Sequence, residues 1–499
     1  GETMGYENLA RIGSGINPDK LHAEVIDGNN IFAVHDAITR SKEIIASGKG
    51  PVLLDCQTYR FSGHSPSDAS SYRTKEEIDS WREVDPIHLL EVNILENSLL
   101  NADEIAVMQK EVKMLTFEAF KKTIDDEISP RLPLDSNPEI VGNLTFNNTS
   151  KDIDFTFQAE TLTDSSQIQR IQSLSNKSRI GVVEGELLSG TKAITFRDAL
   201  FEPILEHAIH DDSLVIYGEE NRDWGGAFGV YRGLTELLPS HRLFNSPIAE
   251  AAIVGTAVGY AMAGGRALVE LMYADFIGRA GDEIFNQLAK WQAMSGGILK
   301  LPVVLRISVG SKYGAQHSQD WSSLLTHISG LKVVYPATAY DAKGLMASAL
   351  ESNDPVIFVE NQRLYDNVET LNSLGIPKDY YKIEIGKPAL VREGKDITIF
   401  SVGACLNRAL AAAEVLKDKW NISAEIIDAR SLVPFDPDLL VNSVSKTKKL
   451  ICISDACERG NWLHGVINLI YDKNSHELKK KISSVMAPNW ITPAAEQEW

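Results

Sequence analysis

Apolar and polar positions follow first a helical and then a strand pattern near the start of the chain. Apolar residues recur at helical spacing in "IFAVHDAITRSKEIIASGKG" (31–50), and Gly48 and Gly50 mark the end of that helix. The run "PVLLDCQTYRF" (51–61) predicts a buried strand, followed by a polar loop and helices to about residue 127. Together these elements predict half of an α/β unit.

Short runs rich in β-branched residues, separated by helical patterns, occupy the chain from residue 192 onward. The predicted strands are 213–218, 266–272, 301–308, 331–336 and 355–360, and the predicted helices are 195–212, 245–265, a long helix near 275–295, and 339–352. This alternation predicts a parallel sheet covered on both faces. From Ile383, predicted strands at 396–403, 423–430 and 448–455 indicate a separate small domain.

The segment from 129 to 191 differs in composition from both of its neighbours. Pro, Asn, Ser, Thr and Asp are frequent in it, and it has one short helical pattern near 165–174. This composition is typical of a linker or an extended arm. We therefore predict four parts, with boundaries at 1–128, 129–191, 192–375 and 376–499.

Composition and charge exclude several classes of protein. The 499 residues carry a formal net charge of -19, which argues against binding to nucleic acid or to an anionic membrane. No apolar run approaches the ~20 residues that cross a bilayer, and no signal pattern opens the chain. The four cysteines have no paired metal-binding spacing. We expect a cytoplasmic protein that is not bound to a membrane.

One carboxylate stands at the head of an apolar helix in "NSPIAEAAIVGTAVGYAMAGG" (245–265). Asn245 or Ser246 is expected to cap this helix, Pro247 suits its first position, and Glu250 then lies in the first turn. A carboxylate there gains ~0.3–1 kcal/mol from the helix dipole, which is a sufficient structural explanation. A functional role is the alternative, and the helix alone does not decide between them.

Other polar and aromatic residues follow the predicted strands. Glu219 comes after strand 213–218 in the Gly-rich stretch "YGEENRDWGGAFG", Tyr273 and Phe276 come after strand 266–272, and His317 lies in the loop after strand 301–308. Each alone is more often a cap, a core residue or a hydrogen-bonding spacer than part of a site. Because the carboxyl ends of parallel strands meet at one edge of a sheet, we expect these residues to converge on one crevice.

The first segment contains a second candidate loop. In "TYRFSGHSPSDASSYRTKEE" (58–77), Arg60, His64, Ser65 and Arg73 follow the predicted strand. Basic side chains and backbone amides suit a phosphate or carboxylate ligand, and a solvated surface loop is the alternative. Sequence spacing alone does not indicate whether this loop faces Glu250.

These motifs resemble the thiamine-diphosphate-dependent E1 component of 2-oxoacid dehydrogenase complexes. The α-subunit resemblance runs from "VIDGNN" through the loop at 58–77 to helices near 125. The β-subunit resemblance runs from "AITFRDAL" to "APNWITPA", through "GEENRDWGGAFGV", "PIAEAAIVGTAVGYAMAG", "MSGG", "GAQHSQ" and "GLKVVYPATAYDAKGL". It implies an α/β, transketolase-like thiamine-diphosphate-binding fold with parallel sheets flanked by helices, plus a C-terminal transketolase-type α/β domain.

The same resemblance assigns the four predicted parts and an activity. Residues 1–128 would be the C-terminal fragment of the α-type diphosphate domain, 192–375 the aminopyrimidine-binding domain and 376–499 the C-terminal-type domain. The implied activity is oxidative decarboxylation of a 2-oxo acid, pyruvate or branched-chain, with acyl transfer to the lipoyl group of E2. This is an oxidoreductase acting on an oxo group (EC 1.2.4 type), and the implied assembly is an α2β2-like homodimer.

The resemblance also implies roles for single residues. Glu250 would bind the N1′ nitrogen of the cofactor's aminopyrimidine ring, which favours the imino tautomer that removes the C2 proton. His317 would orient or protonate the substrate-derived intermediate. Tyr273 and Phe276 would neighbour the aminopyrimidine, and Glu219 would belong to a nearby polar network.

The loop at 58–77 receives roles in the same way. His64 would lie near the cofactor diphosphate and donate a proton in acyl transfer, and Arg60 would help to bind the cofactor. Ser65 occupies a position that is phosphorylated in some members of the family, but the sequence does not show whether this protein is regulated in that way.

The chain departs from the family at its metal sites. The Gly-Asp-Gly motif with paired Asn that binds Mg²⁺ and the diphosphate is absent, so the Mg²⁺ ligands are expected in an upstream segment. "IDGNN" has the wrong spacing, and we reject Asp27 and Asn30 as ligands. Ser352 and Asp354 replace the Asp and Asn expected at a structural potassium site, so no metal ligand is predicted. The chain is either a fragment of a fused α–β E1, which its ends favour, or a natural form without the motif.

Two other functions stay open. Another thiamine-diphosphate enzyme, either acetoin-cleaving or transketolase-like, would use the same residues. A noncatalytic subunit that docks E2 would explain the missing metal motif. The 2-oxo acid itself is not determined, because each methylene contributes only ~1–3 kcal/mol of discrimination.

Overall fold

The computed structural model describes residues 8–63, 65, 67–68, 70–131, 133–310 and 313–491. The chain divides into two compact units, Gly1–Leu132 and Pro133–Trp499. None of the described helices combines the length and apolar character that crossing a membrane requires.

The first unit contains one parallel strand pair and several helices. Its strands are β1 (His22–Asp27) and β2 (Val52–Gln57), and its helices are α1 (Leu9–Ile16), α2 (Ile31–Ala46), α3 (Lys75–Glu83), α4 (Pro86–Glu96) and α5 (Ala102–Ile124). The structure confirms the helix predicted at 31–50 and the strand predicted at 51–61, each somewhat shorter. The strand is not buried as predicted, because it pairs with β1 in a sheet of only two strands within the described residues. Strand β1 was not predicted, because "HAEVID" is short and carries three polar residues among its six.

The second unit contains two larger sheets and their covering helices. Its strands are β3 (Val182–Val183), β4 (Glu186–Leu187), β5 (Leu214–Gly218), β6 (Leu243–Asn245), β7 (Arg266–Leu271), β8 (Val303–Val309), β9 (Lys332–Val334), β10 (Val356–Asn361), β11 (Ala389–Arg392), β12 (Ile397–Ser401), β13 (Ala424–Asp428), β14 (Ser431–Val433), β15 (Leu450–Cys457) and β16 (Ser483–Ala487). Its helices are α6 (Ile140–Asn143), α7 (Gln169–Ser175), α8 (Phe196–His210), α9 (Glu250–Met262), α10 (Ala289–Met294), α11 (Ser322–Thr326), α12 (Ala339–Glu351), α13 (Cys405–Trp420), α14 (Asp438–Thr447) and α15 (Leu463–Asn474).

The larger sheet is the one that the apolar runs predict. Within the described residues its strand order is β14-β9-β10-β8-β7-β5-β6, and every pair is parallel except β14 with β9. All residues of β7, β8 and β10 are buried, as in a sheet covered on both faces. The predicted strands are therefore confirmed, with bounds that move by one or two residues.

The smaller sheet has the order β11-β13-β12-β15-β16 in the described chain. Helix α13 packs on β12, β13 and β15, while α14 and α15 pack against β12 and β15, respectively. Both sheets are thus mainly parallel and flanked by helices, which confirms the expected α/β class.

Residues between 133 and 191 pack against the rest of the second unit. Ser150 forms an antiparallel bridge with Ser352, and the backbone amide of Ala159 donates to the Ile209 carbonyl at 2.8 Å. The guanidinium of Arg170 donates to the carbonyls of Val230 (2.8 Å) and Arg232 (2.7 Å). This arm therefore supports the end of the Gly-rich turn that follows β5.

The single long helix predicted near 275–295 is wrong. The structure has a 3₁₀ helix (Ala274–Ala280), a π-helical segment (Glu283–Leu288) and then α10. Gly278 and Gly281 weaken regular helix geometry here. The side-chain amides of Asn286 (2.7 Å) and Gln287 (3.0 Å) both donate to the Asp282 carboxylate. Asp282 thus accepts hydrogen bonds from side chains four and five residues later, which the larger turn of a π-helix allows.

Candidate functional site

Four neighbouring strands deliver the candidate residues to one edge of the larger sheet. Strands β10, β8, β7 and β5 are adjacent and parallel, so their carboxyl ends lie side by side. Ligands of parallel α/β sheets bind beyond this edge.

The Gly-rich turn after β5 brings two carboxylates into the site. The carbonyl of Glu220, a residue with φ +56°, accepts hydrogen bonds from the amides of Trp224 (3.2 Å) and Gly226 (3.0 Å). Glu219 precedes it and is half-buried. Burial raises the pKa of the Glu219 carboxyl, and the nearby charges of Glu250 and Glu220 raise this pKa further. Glu219 and Glu250 are therefore electrostatic neighbours.

Glu250 is the first residue of α9, which corrects the predicted helix start. Residue Ala249 occupies the N-cap position and makes no side-chain capping bond. Asn245 does not cap, because its side chain accepts from the Arg222 amide and donates to Asp223, both at 2.7 Å. Ser246 instead bonds its own neighbour, with its hydroxyl donating to the Pro247 carbonyl at 2.8 Å.

The Glu250 side chain is buried at this helix start. It is 8% exposed. Within the described residues, no hydrogen bond or ion pair engages its carboxyl group. Carboxyl groups of largely buried side chains are ordinarily paired or hydrogen-bonded, so this one has capacity for a ligand.

Aromatic rings from four chain segments form a cluster. The rings of Tyr273 and His317 meet edge to face at 4.5 Å between centroids, and Phe276 lies 5.4 Å from His317. Phe228, from the Gly-rich turn, meets Tyr273 edge to face at 5.8 Å and stacks on Tyr365 at 4.7 Å. The structure thus brings together Tyr273, Phe276 and His317.

His317 is held through its backbone. The Gln362 side-chain amide donates to the His317 carbonyl at 2.7 Å. No described residue hydrogen-bonds to its ring nitrogens, which leaves both nitrogens available to a ligand. Asp275 lies nearby: burial raises the pKa of its carboxyl, while the Gln319 amide and the charge of His317 act in the opposite direction. A carboxylate there would stabilise a protonated His317.

Sequence reasoning missed Phe228, Asp275 and Gln362 as members of this site. Phe228 and Asp275 lie inside stretches that the sequence had marked, so neighbours of the marked residues were the available signal. Gln362 follows the buried strand β10, and its position after a strand end was a signal of the same kind.

The first unit holds the other predicted residues. Arg60 is exposed, and its backbone carbonyl accepts a hydrogen bond from the Arg73 guanidinium, which also donates to the Ser62 carbonyl at 2.9 Å. The Arg73 guanidinium lies over the Tyr59 ring at 5.4 Å. Arg73 therefore fixes the path of this loop. His64 lies outside the described residues.

Asn30, Ser352 and Asp354, which the sequence analysis considered at metal sites, bind other protein groups in the structure. Among the described residues, no group of three or more His, Cys, Asp and Glu side chains could hold a metal ion. Asn30 caps α2, with its side chain accepting from the amides of Phe32 and Ala33. Asp354 binds the Lys332 ammonium at 2.8 Å, and the Ser352 carbonyl accepts from Arg266 at 2.8 Å.

Three family descriptions match the chain in sequence order. "Dehydrogenase E1 component" matches residues 13–130, "Transketolase, pyrimidine binding domain" matches 192–367, and "Transketolase, C-terminal domain" matches 386–499. The candidate carboxylates and the aromatic cluster all lie within 192–367.

Curated relatives align with the second unit. The β subunit of an acetoin:2,6-dichlorophenolindophenol oxidoreductase from Bacillus subtilis (strain 168) is 38% identical over 317 residues, which are 60% of this chain and 91% of that protein. The β subunit of the pyruvate dehydrogenase E1 component from Rickettsia felis is 40% identical over 264 residues, 52% of this chain and 79% of its own. A solved structure titled "Split gene transketolase, inactive beta4 tetramer" has a TM-score of 0.49 and 24% identity, covering 60% of this chain and 91% of that one.

Proposed function

Because this chain belongs to the transketolase-like family of thiamine-diphosphate-dependent 2-oxoacid dehydrogenase E1 components, we propose that it oxidatively decarboxylates a 2-oxo acid. It joins an α-type part to a β-type part. Carbon dioxide leaves, and the acyl group passes to the lipoyl disulfide of E2, which is reduced to a thioester and a thiol. The observation that carries the proposal is the carboxyl group of Glu250, which has no partner among the described residues although its side chain is 8% exposed.

The described residues fit the aminopyrimidine half of thiamine diphosphate. A buried carboxyl group without a partner at the start of α9 suits a ring nitrogen, and the rings of Tyr273 and Phe276, 6.3 Å apart, suit a flat aromatic ligand. When bound, the cofactor supplies an electron sink for decarboxylation. Mg²⁺ belongs to the proposal as the counter-ion of the diphosphate, with ligands outside the described residues.

We assign each side chain a task at a stated atom. Glu250 holds a proton at the N1′ nitrogen of the pyrimidine. The raised pKa of Glu219 favours its neutral form, which lowers the cost of a charge on Glu250. His317 exchanges a proton with the oxygen of the substrate carbonyl, and Asp275 stabilises the charge that His317 gains. His64 and Arg60 of the first unit act at the diphosphate.

We propose partners from family membership. E1 components work within multienzyme complexes, and this one would donate its acyl group to a lipoyl-bearing E2. A dimer with an α2β2-like arrangement is the proposed assembly, and the cytoplasm is the proposed location.

Acetoin cleavage is a second candidate, because the 38% identical relative from Bacillus subtilis is named as the β subunit of an acetoin:2,6-dichlorophenolindophenol oxidoreductase. Both reactions use the same cofactor, so the residues named above would serve either. They differ in substrate and in electron acceptor.

A substrate panel separates the two candidates. The complete enzyme is assayed with pyruvate and with branched-chain 2-oxo acids for carbon dioxide release coupled to reductive acylation of lipoamide, and with acetoin for reduction of 2,6-dichlorophenolindophenol. We expect turnover with a 2-oxo acid and lipoamide. Turnover with acetoin and no turnover with any 2-oxo acid would favour the second candidate over the first. A lack of both activities would contradict both candidates.

A further inference from the structure

Three charged side chains form a cluster inside the larger sheet. Glu270 on β7, Arg306 on β8 and Glu360 on β10 are 4%, 1% and 1% exposed. Arg306 donates to Glu360 through Nε (2.6 Å) and Nη2 (2.7 Å), and through Nη1 to Glu270. Glu270 pairs with Arg306 in the strand register. We call Glu270, Arg306 and Glu360 the buried triad.

Stability alone does not explain the buried triad. Apolar residues of similar volume are commonly as stable as a buried ion pair, or more stable, because ions lose hydration on burial. Two carboxylates also face a single guanidinium here. Burial raises the pKa of the Glu270 carboxyl, although Arg306 acts in the opposite direction. Two contacts connect the buried triad with other parts of the unit.

The first such contact reaches the Gly-rich turn. Glu270 Oε1 accepts the amide of Ala227 at 3.3 Å. Gly226 has φ +81°, and a Cβ atom there would lie 3.1 Å from both oxygens of Glu270. The turn and the carboxylate are thus fitted to each other. The same turn carries Glu219 at its start and Phe228 near its end.

The second contact reaches the aromatic cluster. Tyr365 Oη donates to Glu360 Oε2 at 2.7 Å, and the Tyr365 ring stacks on Phe228 at 4.7 Å. Phe228 in turn contacts Tyr273, which contacts His317. Each step is a direct contact between buried or half-buried groups.

We propose that the buried triad is a positioning element of the candidate site. It fixes the Gly-rich turn through Glu270 and the aromatic cluster through Glu360 and Tyr365, so that Tyr273 and His317 keep one arrangement. Its three members touch neither substrate nor cofactor. The proposal rests on the proposed function for its kinetic consequence, while its geometric consequence is independent of activity.

Two conservative substitutions test the two contacts. In Glu270→Gln the amide has one acceptor atom, which can serve Arg306 or Ala227, and its NH₂ group then faces the other donor. Tyr365→Phe deletes only the hydroxyl group that donates a hydrogen bond to Glu360. We expect each variant to lower kcat about tenfold or more, with KM and the Kd of the cofactor changed less than about threefold.

Matched controls come from the same unit. Glu351 is 1% exposed and binds Tyr380 (3.0 Å) and Lys382 (2.6 Å), and Tyr381 Oη donates to the Tyr340 carbonyl at 2.7 Å. Glu351→Gln and Tyr381→Phe make the same chemical changes away from the site. We expect them to lower the melting temperature at least as much as the test variants and to leave kcat within about twofold.

The geometric readout is the NMR signal of the His317 ring in protein labelled with ¹³C-histidine, without substrate. The edge-to-face contact with Tyr273 makes this signal sensitive to displacement. We expect it to shift in Glu270→Gln and Tyr365→Phe and to stay unchanged in both controls. A kcat that falls only with the folded fraction, together with unchanged His317 signals, would overturn the proposal. If no 2-oxo acid were turned over by the unmodified enzyme, the proposed function would fail and the NMR comparison would still decide about positioning.

Discussion

At the scale of one residue, the position of Glu250 at the start of α9 determines what its carboxyl group can do. The helix dipole stabilises a negative charge at this position by ~0.3–1 kcal/mol, but an exposed carboxylate would gain the same stabilisation. Glu250 is instead buried and unengaged among the described residues, beside a second carboxyl group with a raised pKa. A purely structural role would leave the Glu250 carboxyl group without the hydrogen-bond partner that such groups ordinarily have.

We predict that Glu250→Gln stops activation of the cofactor. The amide occupies the same volume but does not transfer a proton to the N1′ nitrogen. Hydrogen–deuterium exchange at C2 of bound thiamine diphosphate should therefore slow by ~10²-fold or more. NMR of the quenched cofactor measures this exchange. The melting temperature should change little, because no described residue hydrogen-bonds to the Glu250 carboxyl group. Undiminished exchange would show that Glu250 has another role.

Single residues also show what the sequence could and did not predict. Glu219, Glu250, Tyr273, Phe276 and His317 were found because they stand next to predicted strand ends or helix starts. The buried triad was missed, although a signal existed. Strands 266–272, 301–308 and 355–360 were predicted to be buried, and charges within them require partners. The pairing of these charges depends on strand order, which apolar patterns do not give.

Helix starts show the same limit at the scale of the element. Helix α8 begins where its sequence predicts, because Thr195 and Asp198 form a reciprocal capping box. Helix α9 begins later than predicted, because its expected cap, Asn245, hydrogen-bonds Arg222 and Asp223. Local signals are reliable when their donors and acceptors have no stronger distant partner.

Helix α8 carries a buried histidine that should make stability depend on pH. The His207 ring is 1% exposed, and its Nε2 lies 3.0 Å from Tyr380 Oη, which donates to Glu351. We therefore assign the Nε2–H tautomer. Burial, and after it the charge of Arg266, lower the pKa of His207 to about 3.

We predict that the second unit loses stability as pH falls below about 6.5. Below this pH the His207 side chain binds a proton in the unfolded chain, whereas in the folded protein it stays neutral until about pH 3. The contribution of His207 to the free energy of unfolding therefore falls by ~1.4 kcal/mol per pH unit across this range. The melting temperature is measured at pH 7 and pH 5. The drop should be smaller in His207→Gln than in the parent, and unchanged in the control His476→Gln, whose residue is exposed. Equal drops in all three proteins would contradict the assignment.

At the scale of the whole molecule, the order of the elements was predictable from the sequence. Alternating strands and helices predicted both sheets. Composition predicted a linker or an extended arm at 129–191, and many residues from 133 onward hydrogen-bond to the rest of the second unit through backbone groups and through Arg170. Composition reports how easily a segment forms regular structure, and it says little about irregular segments that are held by distant partners.

The antiparallel partner of β9 has a consequence for dividing the chain. Strand β14 comes from the part after residue 375, yet it completes the sheet formed before it: Ser431 pairs with Val334, and the Tyr335 amide donates to the Arg430 carbonyl at 2.8 Å. A protein cut after residue 375 would present β9 as an open edge, which invites other chains to pair with it. We expect such a truncated protein to aggregate in light-scattering measurements at concentrations where the whole chain does not. A truncated protein that stays monodisperse would mean that this junction tolerates cutting, and residue 375 would then be a usable point for expressing the two parts separately.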